Sequence, residues 1–212
     1  MKMRFARGIL HGAALAAALW VPAIAGAQQL DARDILMELN KARAAPPQYG
    51  DALDQLLHNV FVGQVMRDES HPAGLITKEG KGALDDAVSW LHEVPPLGPL
   101  AYSPILSQSA AAHVAEQGPR GTVGHFSADG SGPGARAIRF GGGNFVAESI
   151  SYGPKTPFNV LERLTIDDGI PGRGHRKMLF SPEYHFVGIA CGPHAVYGTM
   201  CVFDFSATVD GK

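Results

Sequence analysis

The chain has 212 residues, a formal charge of −2 and 45% apolar residues. That apolar content supports a folded core and excludes disorder, while 18 basic against 20 acidic residues leave no electrostatic footprint for nucleic acid. The length suits one domain with a smaller appendage.

Residues 1–27 read as an export signal. Lys2, Arg4 and Arg7 precede the apolar run "GILHGAALAAALWVPAIAGA", which closes on the small residues Ala25-Gly26-Ala27. A membrane anchor is the alternative, but His11 and Pro22 interrupt a run that is short for a span. Loss of the three leader cations would shift the formal charge from −2 to −5. No later segment is apolar enough to span a bilayer, so a secreted or periplasmic chain is expected.

Residues 28–82 read as a helical segment and linker. "LDARDILMELNKARA" predicts a helix capped by Asp31 and ended by Pro46-Pro47, and "DALDQLLHNVF" a second. "GQVMRDESHPAGLITKEGKG" is polar and rich in breakers, which reads as a loop. The main domain, 83–207, opens with "ALDDAVSWLHEV", where Leu84, Ala87, Val88 and Leu91 form one stripe.

"SPILSQSAAAHVAEQG" predicts a helix from its Ser103 cap and Pro104 to a stop at Gly118, with Leu106, Ala110 and His113 on one face. His113 is assigned a structural place. A broken stretch from Pro119 to Gly143 follows, with a helical turn at "ARAIRF". "NFVAESISYG" has strand composition, and "TPFNVLERLTIDDG" predicts another helix. The runs "FVGIAC" and "MCVFDFS" predict a hairpin centred on Val196, with Cys191 opposite Cys201. An oxidising compartment favours a disulfide there; two buried thiols are the alternative. Helices first and strands late indicate an α+β fold.

Two loops each place a histidine after a glycine: "GHFSADGSGPGAR" with His125 and "GRGHRKMLFSP" with His175. In "FVAESIS", alternation puts Glu148 on one face with Val146 and Ile150, so its carboxylate needs a partner or a cleft. Leu161, Leu164 and Asp168 fall at i, i+3 and i+7, which leans Asp168 toward the leucine face. Either Arg173, His175, Arg176 and Lys177 answer Asp167 and Asp168 in a salt-bridged turn, or Asp168 and His175 meet at a ligand. Two histidines with one or two carboxylates suit a divalent ion such as zinc, although their spacing matches no compact metal motif.

Taken in order, "TKEGKGALDDAVSWL", "LSQSAAAHVAEQG", "GHFSADGSGPGAR", "AESISYG", "LTIDDGIPGRGHRKMLFSP", "FVGIACG" and "MCVFDFS" resemble a bacterial member of the CAP superfamily. That superfamily comprises cysteine-rich secretory proteins, antigen 5 and plant pathogenesis-related proteins. The resemblance covers about residues 75 to 207. It implies a three-layer α-β-α sandwich with a large cleft ringed by two histidines and two acids. In family members such a cleft is reported to hold divalent metal, and other surfaces of the fold bind sterols or lipids; an agreed enzymatic reaction is lacking.

Carried over, His125 and His175 take the places of the histidines. Glu148 takes that of the acid in the family's G-E-N stretch, which here reads Ala147-Glu148-Ser149. The second acid is assigned to Asp168, with Asp167 and then Glu162 behind it, since helical spacing points Glu162 away from the Leu161 and Leu164 stripe. The functional expectation is a binding module, more a non-enzyme than an enzyme, that holds zinc, a small ligand, a lipid or a protein partner. A hydrolase using a His/Glu site is the alternative, for which no G-x-S-x-G turn is present.

Overall fold

A computed structural model describes residues 30–68 and 71–212. The expected signal segment lies outside the described residues. Seven helices and two sheets form the described chain. A four-stranded sheet is its middle layer, built from β4 (Ala101–Tyr102), β5 (Ala147–Tyr152), β6 (Phe186–His194) and β7 (Gly198–Ser206) in the order β4-β6-β7-β5. This is the expected α+β sandwich, and β5 is an edge strand.

One face of the sheet is covered by α4 (Pro104–Arg120), whose Ala110 and Val114 pack on Ile150, Met200 and Val202. The opposite face is covered by α1 (Ala32–Ala44), α2 (Pro46–Leu57), α3 (Lys81–Glu93) and α6 (Pro157–Ile166). Strand alternation sorts β7 between these cores: Cys201, Phe203 and Phe205 face the larger one, Met200 and Val202 the smaller.

The N-terminal helices share the main core, with Ile35, Leu39 and Leu53 fully or almost fully buried in it. Arg43 fastens α1 further, donating from Nη1 to the carbonyl of Leu179 at 2.7 Å and from Nε to that of Gly98 at 3.1 Å. Asp31 caps α1 as expected, through Arg33 N–H at 2.8 Å. Pro46-Pro47 do not merely end α1. They open α2, because proline's missing N–H costs nothing in a first helical turn.

The stretch expected as a loop holds two two-residue strands, β2 (Val65–Met66) and β3 (Leu75–Ile76), paired antiparallel. β2 also pairs antiparallel with β1 (Phe61–Val62), which begins where the second helix was expected to continue, although α2 ends at Leu57. Such short strands leave too little alternation to be seen in sequence. Ser103 caps α4 as expected, but that helix runs through Gly118 and stops at Gly121, whose φ of 66° suits glycine. Gly118 has another purpose: a Cβ there would overlap the carbonyl oxygen of Pro193. The predicted helical turn is α5 (Pro133–Arg139), and α7 spans Gly174–Leu179.

The hairpin of β6 and β7 pairs Cys191 with Cys201, and the two form a disulfide. Beside it, α4 lies so close to β6 that a Cβ on Gly188 would overlap the backbone of Leu106 and Ser107. Neither backbone can yield without moving a layer. Gly188→Ala is therefore expected to cost about 1–3 kcal/mol through overpacking, measured by urea denaturation; an unchanged midpoint would contradict this packing.

Candidate functional site

Glu148 sits on β5 with its side chain only 1% exposed. Its Oε1 accepts Nδ1–H of His125 at 2.9 Å, and its Oε2 accepts Nη2–H of Arg136, a residue of α5 that is itself buried. Arg136 also donates to the carbonyls of His125 at 3.0 Å and Ser131 at 3.2 Å, fixing the loop that carries the ring. Of the two apolar neighbours predicted for Glu148, Ile150 is buried in the smaller core while Val146 lies before β5 and is only half-buried. A buried ion pair meets the acid's need for partners.

Opposite Glu148 in the cross-strand register stands Asp204, fully buried, with Ser109 and Glu148 as its polar neighbours. Burial, reinforced by the charge of Glu148, pushes its carboxyl well above the usual range. The neutral form is thus favoured. Asp204 and Arg136 were missed as members of this cluster, although Asp204 interrupts the inward face of "MCVFDFS" much as Glu148 interrupts its own strand.

On the other side, His175 donates from Nδ1 to Oδ1 of Asp167 at 2.7 Å, and its backbone N–H donates to Oδ2 at 2.9 Å. Asp167 is 1% exposed, against 20% for the ring. Its φ of 56° ends α6 in the left-handed region, which aspartate tolerates better than most residues. This turn corrects the helical projection of Asp168 onto the leucine face, although Asp168 too lines the hollow that both histidines border. The i, i+3, i+7 projection assumed a helix continuing to residue 168, whereas α6 ends at Ile166.

Asp168 instead accepts the backbone N–H groups of Lys78 at 2.6 Å and Glu79 at 2.8 Å. Arg173 adds a bidentate pair to Glu79, at 2.6 and 2.7 Å, so this corner fastens the chain leaving β3 to the α6–α7 turn. The basic residues mostly serve backbone carbonyls and remote acids: Arg176 donates to the carbonyls of Thr165 and Ile166 at the end of α6.

Both histidines line one hollow of about 530 Å³. It lies along the free edge of β5 at Ile150, Ser151 and Tyr152, between the His125 loop and α6, and is roofed by residues of β1–β3 such as Phe61, Met66 and Leu75. The two loops do converge. Since each Nδ1–H is held by a carboxylate, the remaining ring nitrogen, Nε2, is the acceptor left for a ligand.

Glu148 and Asp167 lie behind the rings, in orienting positions. Among the described residues no group of three or more His, Cys, Asp or Glu side chains is placed to hold a metal ion. The four-ligand set His125, Glu148, His175 and Asp168 thus does not fit a closed zinc site, which needs its carboxylates beside the imidazole nitrogens.

Glu162 also lines the hollow, and the expectation that it points away from the buried stripe is corrected. It is 2% exposed, because α6 is buried on nearly all sides. Oε2 accepts from Asn159 Nδ2 at 2.9 Å. Burial raises its carboxyl pKa from 4.5 to about 7.

With this geometry in place, the CAP family model, described as the cysteine-rich secretory protein family, matches residues 39–205. The chain belongs to that family. Similar solved structures include an extracellular protein containing an SCP domain from Bacillus anthracis, at 20% identity and a TM-score of 0.43, which covers 58% of this chain. The chain spans 37% of that protein's length. An outer surface protein from Borrelia burgdorferi has 17% identity and a TM-score of 0.43 over 51% of this chain and 77% of its own. No curated protein matches. Among the described residues no helix is long and apolar enough to cross a membrane.

Two outcomes follow. Long-range proton–nitrogen NMR at pH 8 is expected to show both His125 and His175 as Nδ1–H tautomers; an Nε2–H form of either ring would contradict the pairing. A carboxyl whose pKa is higher folded than unfolded binds its proton more tightly when folded, so its contribution to stability declines as pH rises from 4.5 to about 7. Glu162→Gln should remove that decline and stabilise the protein at pH 8 by roughly 1–3 kcal/mol, read from urea titrations across pH. An identical pH profile in the variant would refute the burial argument.

Proposed function

We propose that this CAP-family chain is an exported binding module whose hollow receives a small, mainly apolar ligand, with the ligand's polar part meeting the imidazoles of His125 and His175. One observation carries the reading: two rings from opposite sides of β5, each oriented by a buried acid, line the same largely apolar hollow. A pocket with apolar walls and a few converging polar groups is the usual form of a small-molecule site. Export rests on the leader composition.

A divalent ion is the second reading. It would be held by the two Nε2 atoms, with Glu148 and Asp167 supporting the rings from behind. Two donors make this weaker than a three- or four-ligand site. Hydrolysis is not favoured by a specific contact: Ser131 Oγ is engaged by Asp129 and Arg139, and neither ring is hydrogen-bonded to a serine hydroxyl among the described residues.

The uncharged amphiphile 1-decanol is the direct probe. It is expected to bind in isothermal titration calorimetry and to raise the melting temperature, and His125→Ala with His175→Ala should weaken it by roughly 3- to 30-fold, the loss of one or two hydrogen bonds. Absence of decanol binding would refute the reading. A zinc-induced rise in melting temperature that the double variant abolishes would favour the metal instead.

A further inference from the structure

The hollow has a second polar feature, remote in kind from the imidazole pair. Glu162 on α6 lines the hollow together with the apolar residues Phe61, Met66, Leu75 and Leu164, and is itself 2% exposed. Asn159 satisfies Oε2, and no described residue donates to Oε1.

The neighbouring cation is engaged elsewhere. Arg163 donates from Nη1 to the carbonyl of Tyr152 at 2.5 Å and from Nη2 to Nε2 of His71 at 2.7 Å, and His71 in turn holds Asp68 through Nδ1 at 2.9 Å. The guanidinium is thus tied to an edge-strand carbonyl and to the His71–Asp68 pair. Asp68 adds further negative field on Glu162. From α2, Tyr49 presents a buried hydroxyl beside Thr165, within the electrostatic reach of Glu162.

A carboxyl almost fully buried, with one oxygen unclaimed and apolar walls around it, is costly as an anion and lacks only a cation to make it favourable. An apolar wall alone would accept any chain; the acid selects its head group. A carboxylate-bearing ligand would bring like charges together, and a hydroxyl would supply one neutral hydrogen bond. An ammonium supplies up to three donors and the opposite charge, and hydrogen bonds between ionised partners are roughly twice as strong as neutral ones.

We propose that Glu162 is a second head-group site of the same hollow, apart from the imidazoles that meet an uncharged polar group, and that it takes amphiphiles carrying a primary ammonium group, whose apolar chain lies along the Phe61–Leu75 roof. This rests on the hollow being a ligand site, as argued above, and adds the ligand's charge. Binding couples to ionisation of Glu162. The titratable and charged groups facing it are Arg163 on its own helix, Asp68 and His71 from the preceding segment and Tyr49 from α2. Below pH 7 the acid is mostly neutral, so ammonium affinity should rise as pH increases from 5.5 to 8, where an alkylamine remains protonated.

The test compares 1-decylamine, 1-decanol and decanoate by titration calorimetry at pH 8, at concentrations below micelle formation, on wild type and Glu162→Gln. Glutamine keeps an oxygen for Asn159 and removes the charge. Wild type should prefer decylamine over decanol by at least about tenfold, decanoate should be weakest, and the variant should lose the amine preference and its pH dependence while still binding decanol. Equal affinities for amine and alcohol in wild type, or an amine preference that survives in Glu162→Gln, would overturn the head-group assignment and leave the hollow intact as a ligand site. If decanol also fails to bind, the hollow reading falls, and this proposal with it.

Discussion

A carboxylate shut away from water must be given donors, and in this fold that requirement decides where both histidines stand. Glu148 is buried on a strand between apolar neighbours and recruits Arg136 and the His125 ring. Asp167 is buried at a helix end and recruits the ring and backbone of His175. Unpaired, either acid would suffer a penalty of several kcal/mol. The pairs therefore hold the rings in one orientation before any ligand arrives, and an oriented group loses less freedom on binding.

The hollow between the rings follows from the sheet order. β5 has a strand partner on one side alone, and a bare edge invites pairing with another chain. Here that edge is covered by side chains of α6, by the His125 loop and by the small β1–β3 sheet, which leave space because they cannot repeat the regular packing of a strand. The corner built from Asp168, Glu79 and Arg173 secures the roof. An acid expected to contact a ligand thereby supports the enclosure that a ligand would occupy. Glu162 and Asp204 have no cationic or imidazole donor among the described residues, and burial raises the pKa of each.

The larger elements were legible in sequence because their signals are local. Asp31 and Ser103 each cap the helix expected of them, and spacing alone placed Cys191 opposite Cys201. Glu148 stood out by breaking an alternating apolar face. The second acid was not legible in the same way. Asp167 and Asp168 are adjacent, and the choice depends on where α6 ends, which a single left-handed residue decides. Glu162 was misread because a helix covered on nearly all sides carries no polar face by which to orient it. Arg136 gave no signal: an arginine in a glycine-rich stretch reads as exposed until the strand it pairs with is folded beside it.

The central claim is that the rings at 125 and 175 border one ligand-accessible space. An NMR titration with 1-decanol, following the ring resonances of both histidines, tests it most directly. Shifts in both rings that fit a single dissociation constant are predicted. Movement of one ring alone, or two rings saturating at clearly different concentrations, would contradict the account.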